Sequence, residues 1–264
     1  MTVLLYHDVV ARPDADSVGF PGPLAARYKL EPERFEAHLD AIASTGLEVG
    51  VLPGLSDREG LLPRSRTVLT FDDGGASALL IGRALEQRGW RGYFFIPTSA
   101  VGRRGFLDVE GIKALAARGH VVGTHSHTHP TYMGRLPLSE LVGEWQRSRD
   151  VLGEILGEEP DVASVPGGFL SSRVIESAAR AGLRVLMTSE PSRRVRWFED
   201  LAILGRFGIW SSTSPSRAAA YAACSRRARA QLWIEWRAKH ATKRVSPAAY
   251  QRLRALRASH RRVR

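Results

Sequence analysis

The sequence predicts an α/β fold in which mostly parallel strands close into a barrel, followed by a basic helical extension. Three observations support this. Short apolar, β-branched runs alternate with amphipathic stretches over residues 1–215. Strand, helix, strand in repeated order implies parallel strands joined by right-handed crossovers, which leaves either an open doubly wound sheet or a barrel. No G-x-G-x-x-G turn follows the first run, so the main argument for a dinucleotide fold is missing and the barrel is the expectation.

The elements follow in order. The opening MTVLLYHDVV places a strand at 3–10. Phe35, Leu39 and Ile42, spaced i, i+4, i+7, line one face of a helix. Strands are expected at 48–52 and 67–73, a helix at 76–88, and a strand at 93–98. A helix at 108–118 stops at Ala-Arg-Gly and leads to a strand at 120–124. Leu141, Trp145, Leu152 and Ile155 mark a longer helix, after which a strand is expected at 162–165. A helix at 171–181 ends at Ala-Gly, and strands at 183–188 and 202–207 complete the barrel. The loop SSTSP at 211–215 separates this domain, 1–215, from an Ala- and Arg-rich remainder, 216–264, that reads as helices packed outside.

Composition narrows the function classes. With 264 residues and 44% hydrophobic content the chain can build one sizeable core. A single cysteine, Cys224, allows no internal disulfide, which suits a reducing compartment. The N-terminus lacks the basic region and small-residue cleavage site of a secretory signal, and no apolar run approaches the ~18 residues that span a bilayer. A cytoplasmic protein, soluble or peripheral at the membrane, is therefore expected. The net charge of +11 is unevenly placed: from Ser216 onward fourteen Arg and Lys stand against one acid, Glu235, and the barrel region is nearly neutral. A nucleic-acid binder would carry its charge on the working surface of the fold, so no nucleic-acid partner is expected. Two readings of the extension stay open. Trp233 and Trp236 pack against the barrel beneath a solvated basic face, or they help seat the helix peripherally on an anionic membrane.

Four expected strand ends are polar in ways a core does not require. They are Tyr6-His7-Asp8, Phe71-Asp72-Asp73-Gly74-Gly75, Thr124-His125-Ser126-His127-Thr128-His129 and Val165-Pro166-Gly167-Gly168-Phe169. In a barrel they would face one another across the C-terminal mouth, where chemistry collects. Extended, His125 and His129 would lie roughly 13 Å apart at ~3.3 Å per residue, too far to share an ion. A single helical turn, limited by Pro130, would bring this i, i+4 pair onto one side and turn His127 elsewhere; the spacing by itself fits three solvated loop histidines equally well. Asp72 and Asp73 follow an apolar strand, and adjacent side chains diverge there, so one can hold a metal while its neighbour faces the water. A lone aspartate at this place would read as a helix cap; two aspartates and an H-x-x-x-H read as a site.

TFDDG at 70–74 followed by GTHSHTHP at 123–130 resembles the polysaccharide deacetylase, or NodB-homology, family, also called carbohydrate esterase family four. LLYHDV and the P-G-G-F segment resemble one branch of it, and the likeness runs from about residue 2 to about residue 208. The resemblance implies a distorted (β/α) barrel of about seven strands and hydrolysis of N-acetyl groups on an amino-sugar glycan. It also implies that Asp73, His125 and His129 ligate a divalent ion, usually Zn2+, that Asp72 is the general base, and that Ser126 steadies the loop between the ligands. A carboxylate and two neutral imidazoles would leave positions open for water and a substrate oxygen, as a catalytic ion requires. A backbone N–H for the oxyanion is expected in the turn formed by Pro166, Gly167, Gly168 and Phe169.

The sequence departs from the family in two places. Many members keep an Arg at the start of R-x-P-[YF]-G; here Ser164 stands at the Arg position and Gly167 at the aromatic one. The L-x-H motif that supplies the general acid is replaced by ILGRFGIW, without histidine. His7 is the candidate acid, because it ends the first strand and a barrel brings first and last strands together. Arg206 is a candidate for orienting substrate. His127 is expected beside the site or in solvent, and His120 at the opposite face. Two rivals remain: a metal phosphoesterase or amidohydrolase, suggested by the H-x-H within HSHTH, and a glycan-binding barrel without an acid.

Overall fold

A computed structural model describes residues 1–11, 16–52, 66–130, 132–168 and 170–245. Its strands are β1 (Thr2–Tyr6), β2 (Glu48–Val49), β3 (Arg66–Phe71), β4 (Tyr93–Ile96), β5 (Val121–Thr124), β6 (Val162–Ser164), β7 (Val185–Met187), β8 (Arg196–Phe198), β9 (Leu201–Leu204) and β10 (Phe207–Gly208). The helices are α1 (Pro32–Ala43), α2 (Ala78–Glu86), α3 (Val109–Ala117), α4 (Leu138–Leu156), α5 (Ser172–Arg180), α6 (Pro215–Ala222) and α7 (Arg226–Val245). Seven expected strands reappear at their places, and the one expected at 202–207 divides into β9 and β10. The strand at 48–52 shortens to two residues.

The sheet order is β10-β1-β3-β4-β5-β6-β7-β9-β8, with β2 beside β3. Every pair is parallel except β8 with β9, a short antiparallel edge strand carrying Arg196. Such a charged, three-residue edge resists further pairing. β9 and β10 are joined by Gly205 and Arg206 alone, yet they lie near opposite ends of the strand order. A two-residue link cannot cross an open sheet, so the sheet curls until its ends meet, and the barrel closes through this link. Glycine is required there: a Cβ on Gly205 would strike the Glu190 and Ser192 backbone.

Side chains alternate between two environments, as strand geometry demands. Val3, Val68, Phe95, Val185, Met187 and Leu204 fill the barrel, while Leu4, Tyr6, Leu69, Phe71, Phe94 and Ile96 pack outward against the helices. Asp108 and Ser171 cap α3 and α5 by accepting the Gly111 and Val174 N–H groups, which fixes where those helices start. In the extension, Ala218, Tyr221, Ala222, Ala228 and Leu232 join the same outer cluster as Leu4 and Phe35. Among the described residues no helix is long and apolar enough to cross a membrane.

Candidate active site

All the polar strand ends meet at one end of the barrel, because parallel strands end on the same side. β3 delivers Asp72 and Asp73. Asp73 has φ 77° and Gly74 φ 60°, two successive left-handed residues that turn the chain sharply off the strand. The neighbouring carboxylates therefore diverge: Asp72 lies 5% exposed toward the barrel interior, and Asp73 faces the histidines.

β5 delivers the histidines, but not through the helical turn expected from their spacing. Ser126 and His129 both adopt positive φ, 62° and 55°, which a right-handed turn excludes. The Ser126 hydroxyl accepts the His129 N–H at 3.1 Å, and the Thr124 hydroxyl accepts the Ser126 N–H at 3.0 Å. Side chain to backbone bonding replaces the helical bond, as serine and threonine favour in turns. The outcome for the ligands is the one required. His125 and His129 ring centroids lie 4.8 Å apart, and each Nε2 lies 3.5 Å from Asp73 Oδ1.

One ligand atom each from Asp73, His125 and His129 lies within 4.8 Å of the others. The chemistry of these donors fits a divalent ion. The His125 Nδ1 donates to the Ser164 carbonyl at 2.8 Å, which leaves Nε2 facing Asp73; burial would lower the His125 pKa, but Asp72 and Asp73 raise it, so in the ion-free chain Nε2 holds a proton that a bound ion would displace. Burial and the neighbouring His125 hold the His129 pKa down to about 4, so that ring is neutral at ordinary pH. Burial alone would raise the Asp73 pKa. The hydrogen bond from the protonated His125 is the first cause that outweighs it, and the carboxyl stays ionised, well below its usual range. On its outer side His129 stacks against Phe20, 4.6 Å between centroids; Lys29 anchors the loop carrying Phe20 by donating to the Phe20 carbonyl.

Arg206 stands at a strand end, as expected, but its donors are not free for substrate. It lies at the barrel closure, 1% exposed, and its five N–H donors are all engaged within the protein. Nη1 and Nη2 grip the two Asp72 oxygens at 2.7 and 2.8 Å; the remaining donors go to the Thr188 carbonyl and the Thr70 and Ser164 hydroxyls. No donor is left for substrate, which corrects the expected substrate-orienting role. Ser164 also donates to Asp72 Oδ2 at 2.9 Å. Burial would raise the Asp72 pKa, but Arg206 first, then His125, hold it below the ordinary carboxylate value. Asp72 Oδ2 meanwhile stands 3.8 Å from His125 Nε2, beside the ligand cluster.

His7 ends β1 close enough to Asp73, Asp72 and His125 for their charges to act on it. Burial lowers its pKa, with the two aspartates pulling the other way. Its Nδ1 is buried with no hydrogen-bond partner among the described residues, and its ring stacks on Tyr28, which stacks on Trp210. Pro166, Gly167 and Gly168 form a short turn just beyond β6, with Gly167 and Gly168 at φ 61° and 66°. Gly168 gives its own N–H to the Val165 carbonyl at 3.1 Å, so it does not serve as the oxyanion donor expected of this turn. Phe169 lies outside the described residues.

His127 bonds Thr98 at the side of the ligand loop, and His120 sits at the far end of β5 against Glu86. Sequence reasoning missed the Asp72–Arg206–Ser164 network. The one signal was an arginine inside the apolar run ILGRFGIW with no acid near it in sequence. Among the described residues Asp73, His125 and His129 form the one cluster of three side chains that could hold a metal ion.

A sequence model described as polysaccharide deacetylase matches residues 60–186. The Bacillus subtilis protein YxkH, provisionally named a polysaccharide deacetylase, is 22% identical over 205 residues, 74% of this chain and 67% of its own length. The fold resembles that of a Streptococcus pyogenes deacetylase, PplD, solved with acetate: TM-score 0.66, 20% identity, 81% of this chain and 94% of that one. A Bacillus cereus polysaccharide deacetylase gives 0.69 at 19% identity, over 84% of this chain and 68% of that one. IcaB of Ammonifex degensii gives 0.63 at 22% identity, over 84% and 100%.

Proposed function

We propose that this chain, whose residues 60–186 match the polysaccharide deacetylase family, removes N-acetyl groups from amino sugars in a glycan or glycan precursor. An exopolysaccharide or cell-envelope glycan is the substrate class we favour, and Zn2+ is the ion we favour for Asp73, His125 and His129. The observation that carries the reading is the pairing of two unlike aspartates. Asp73 faces two imidazoles, and Asp72 stands beside them, ionised and held from behind by Arg206.

A divalent ion held by Asp73, His125 and His129 would supply a Lewis acid able to acidify water and polarise the acetamide carbonyl. Asp72 is the base in this reading: it is charged, fixed in orientation, and near enough to the cluster to take the proton of an attacking water. With no N–H on Pro166 and that of Gly168 given to Val165, the Gly167 N–H is the proposed second donor to the oxyanion. As the C–N bond breaks, the sugar nitrogen takes a proton and acetate forms. His7 is the proposed donor of that proton: burial holds its pKa down, negative charge developing beside it favours its protonation, and the proton that Asp72 takes from the water is the one it would receive and pass to the nitrogen. The basic extension is the proposed site of peripheral contact with an anionic membrane.

Acetate release from N-acetylglucosamine oligomers by the zinc-loaded chain tests the reading. The expected result is release that a chelator abolishes. Turnover of a phosphate ester in its place would assign a metal phosphoesterase, and oligomer binding without release would assign a glycan-binding barrel.

A further inference from the structure

We propose that the outward face of α7 is a docking surface for an anionic phospholipid bilayer. α7 buries one stripe and exposes the opposite one. Ala228 and Leu232, four residues apart, are buried in the main cluster, and Trp236 continues the stripe, half-buried. At 3.6 residues per turn the opposite side carries Arg226, Arg227, Trp233, Ile234 and Arg237. Ile234 is 62% exposed and Trp233 43% exposed, two large apolar side chains adjacent on one helix. Arg226, Arg227 and Arg237 are all exposed, and the Arg237 guanidinium lies 4.7 Å over the Trp233 ring. Among the described residues no acidic side chain forms an ion pair with these three arginines.

The chemistry selects the occupant. The described face carries Arg226, Arg227 and Arg237, in a segment that from Ser216 onward has fourteen basic residues and one acid in its sequence, so the face is complementary to phosphates. A second copy of this chain would set arginine against arginine across a two-fold interface, which is repulsive. A nucleic acid would match the arginines but would leave Ile234 without a partner. The headgroup layer of a bilayer accepts both: guanidinium groups reach phosphate while the Trp ring and Ile side chain enter the acyl boundary.

Cosedimentation of the full chain with vesicles tests this, using phosphatidylcholine alone and an equal mixture of phosphatidylcholine and phosphatidylglycerol. Binding to the mixed vesicles that weakens with salt, and little to phosphatidylcholine, is expected. The triple variant Arg226→Gln, Arg227→Gln, Arg237→Gln should bind roughly a hundredfold more weakly, about fivefold per arginine. Trp233→Ala with Ile234→Ala should lose about tenfold or more. All five side chains are exposed, so unfolding midpoints should stay at the wild-type value. Equal binding to both vesicle types, or binding that either variant leaves intact, would overturn the proposal. So would a duplex oligonucleotide that binds while vesicles do not, or a dimer that Trp233→Ala with Ile234→Ala dissociates. Docking requires no turnover, so its failure is distinct from failure of the deacetylase reading.

Discussion

Arg206 and Asp72 form a two-pronged ion pair at the closure of the barrel, 2.7 and 2.8 Å long, with 1% and 4% of their side chains exposed. A pair this buried contributes little net stability while intact, but removing one partner strands the other charge in a poorly solvating interior. The link of Gly205 and Arg206 carries the chain from β9 to β10, and the guanidinium rests over Phe95, at the top of the inner core. The architecture thus supplies the cation that keeps Asp72 ionised.

Arg206→Ala is therefore expected to destabilise the fold by about 3–5 kcal/mol, measured by denaturant unfolding. Arg206→Lys keeps a charge but loses the fork that matches both oxygens, and should fold with reduced kcat. Zinc content should stay near wild type in the lysine variant, since no metal ligand touches residue 206.

Asp72→Asn keeps the shape of the side chain and removes the base. The expected outcome is a folded, zinc-loaded protein whose kcat falls by about 10²–10⁴-fold. Metal analysis and acetate release measured on one preparation check both halves.

His125→Ala removes a ligand, and Asp73→Asn removes the anionic one. Either should cut zinc affinity sharply, with activity recovering in part at high added zinc. Equal zinc loss in Asp72→Asn and His125→Ala would contradict the separation of base from ligand.

Asp8 supplies a pH prediction outside the ligand set. Burial, then the charge of Asp73, pushes its pKa from 3.8 up to about 7, with Ser77 and Lys29 opposing. The folded chain then keeps a proton that the unfolded chain releases at lower pH. This group favours the fold below about pH 4, and that contribution is lost as the pH rises toward about 7, on the order of 4 kcal/mol in all. In chelated protein, Asp8→Asn should flatten the stability profile across this window relative to wild type, as read from unfolding at several pH values.

Much of this was legible in the sequence because it is local. Strand and helix positions follow from apolar periodicity, and the ligand residues from TFDDG and an H-x-x-x-H at a strand end. The turn that unites His125 with His129 was not. Spacing alone suggests a helical turn, whereas the chain uses left-handed Ser126 and His129 tied by a serine hydroxyl. The role of Arg206 was hidden for a different reason. Its partner lies 134 residues away, and only the curling of the sheet brings the two together. The antiparallel β8 escaped notice because three residues beside a charged edge show too short a pattern to read.

The most direct measurement is an anomalous difference map at the zinc edge from crystals grown with zinc. A single strong peak about 2.0–2.2 Å from an Asp73 oxygen and from the Nε2 atoms of His125 and His129, with Asp72 outside bonding distance, is the predicted result. A map with no peak among these three side chains, or one in which Asp72 binds the ion in place of Asp73, would contradict it.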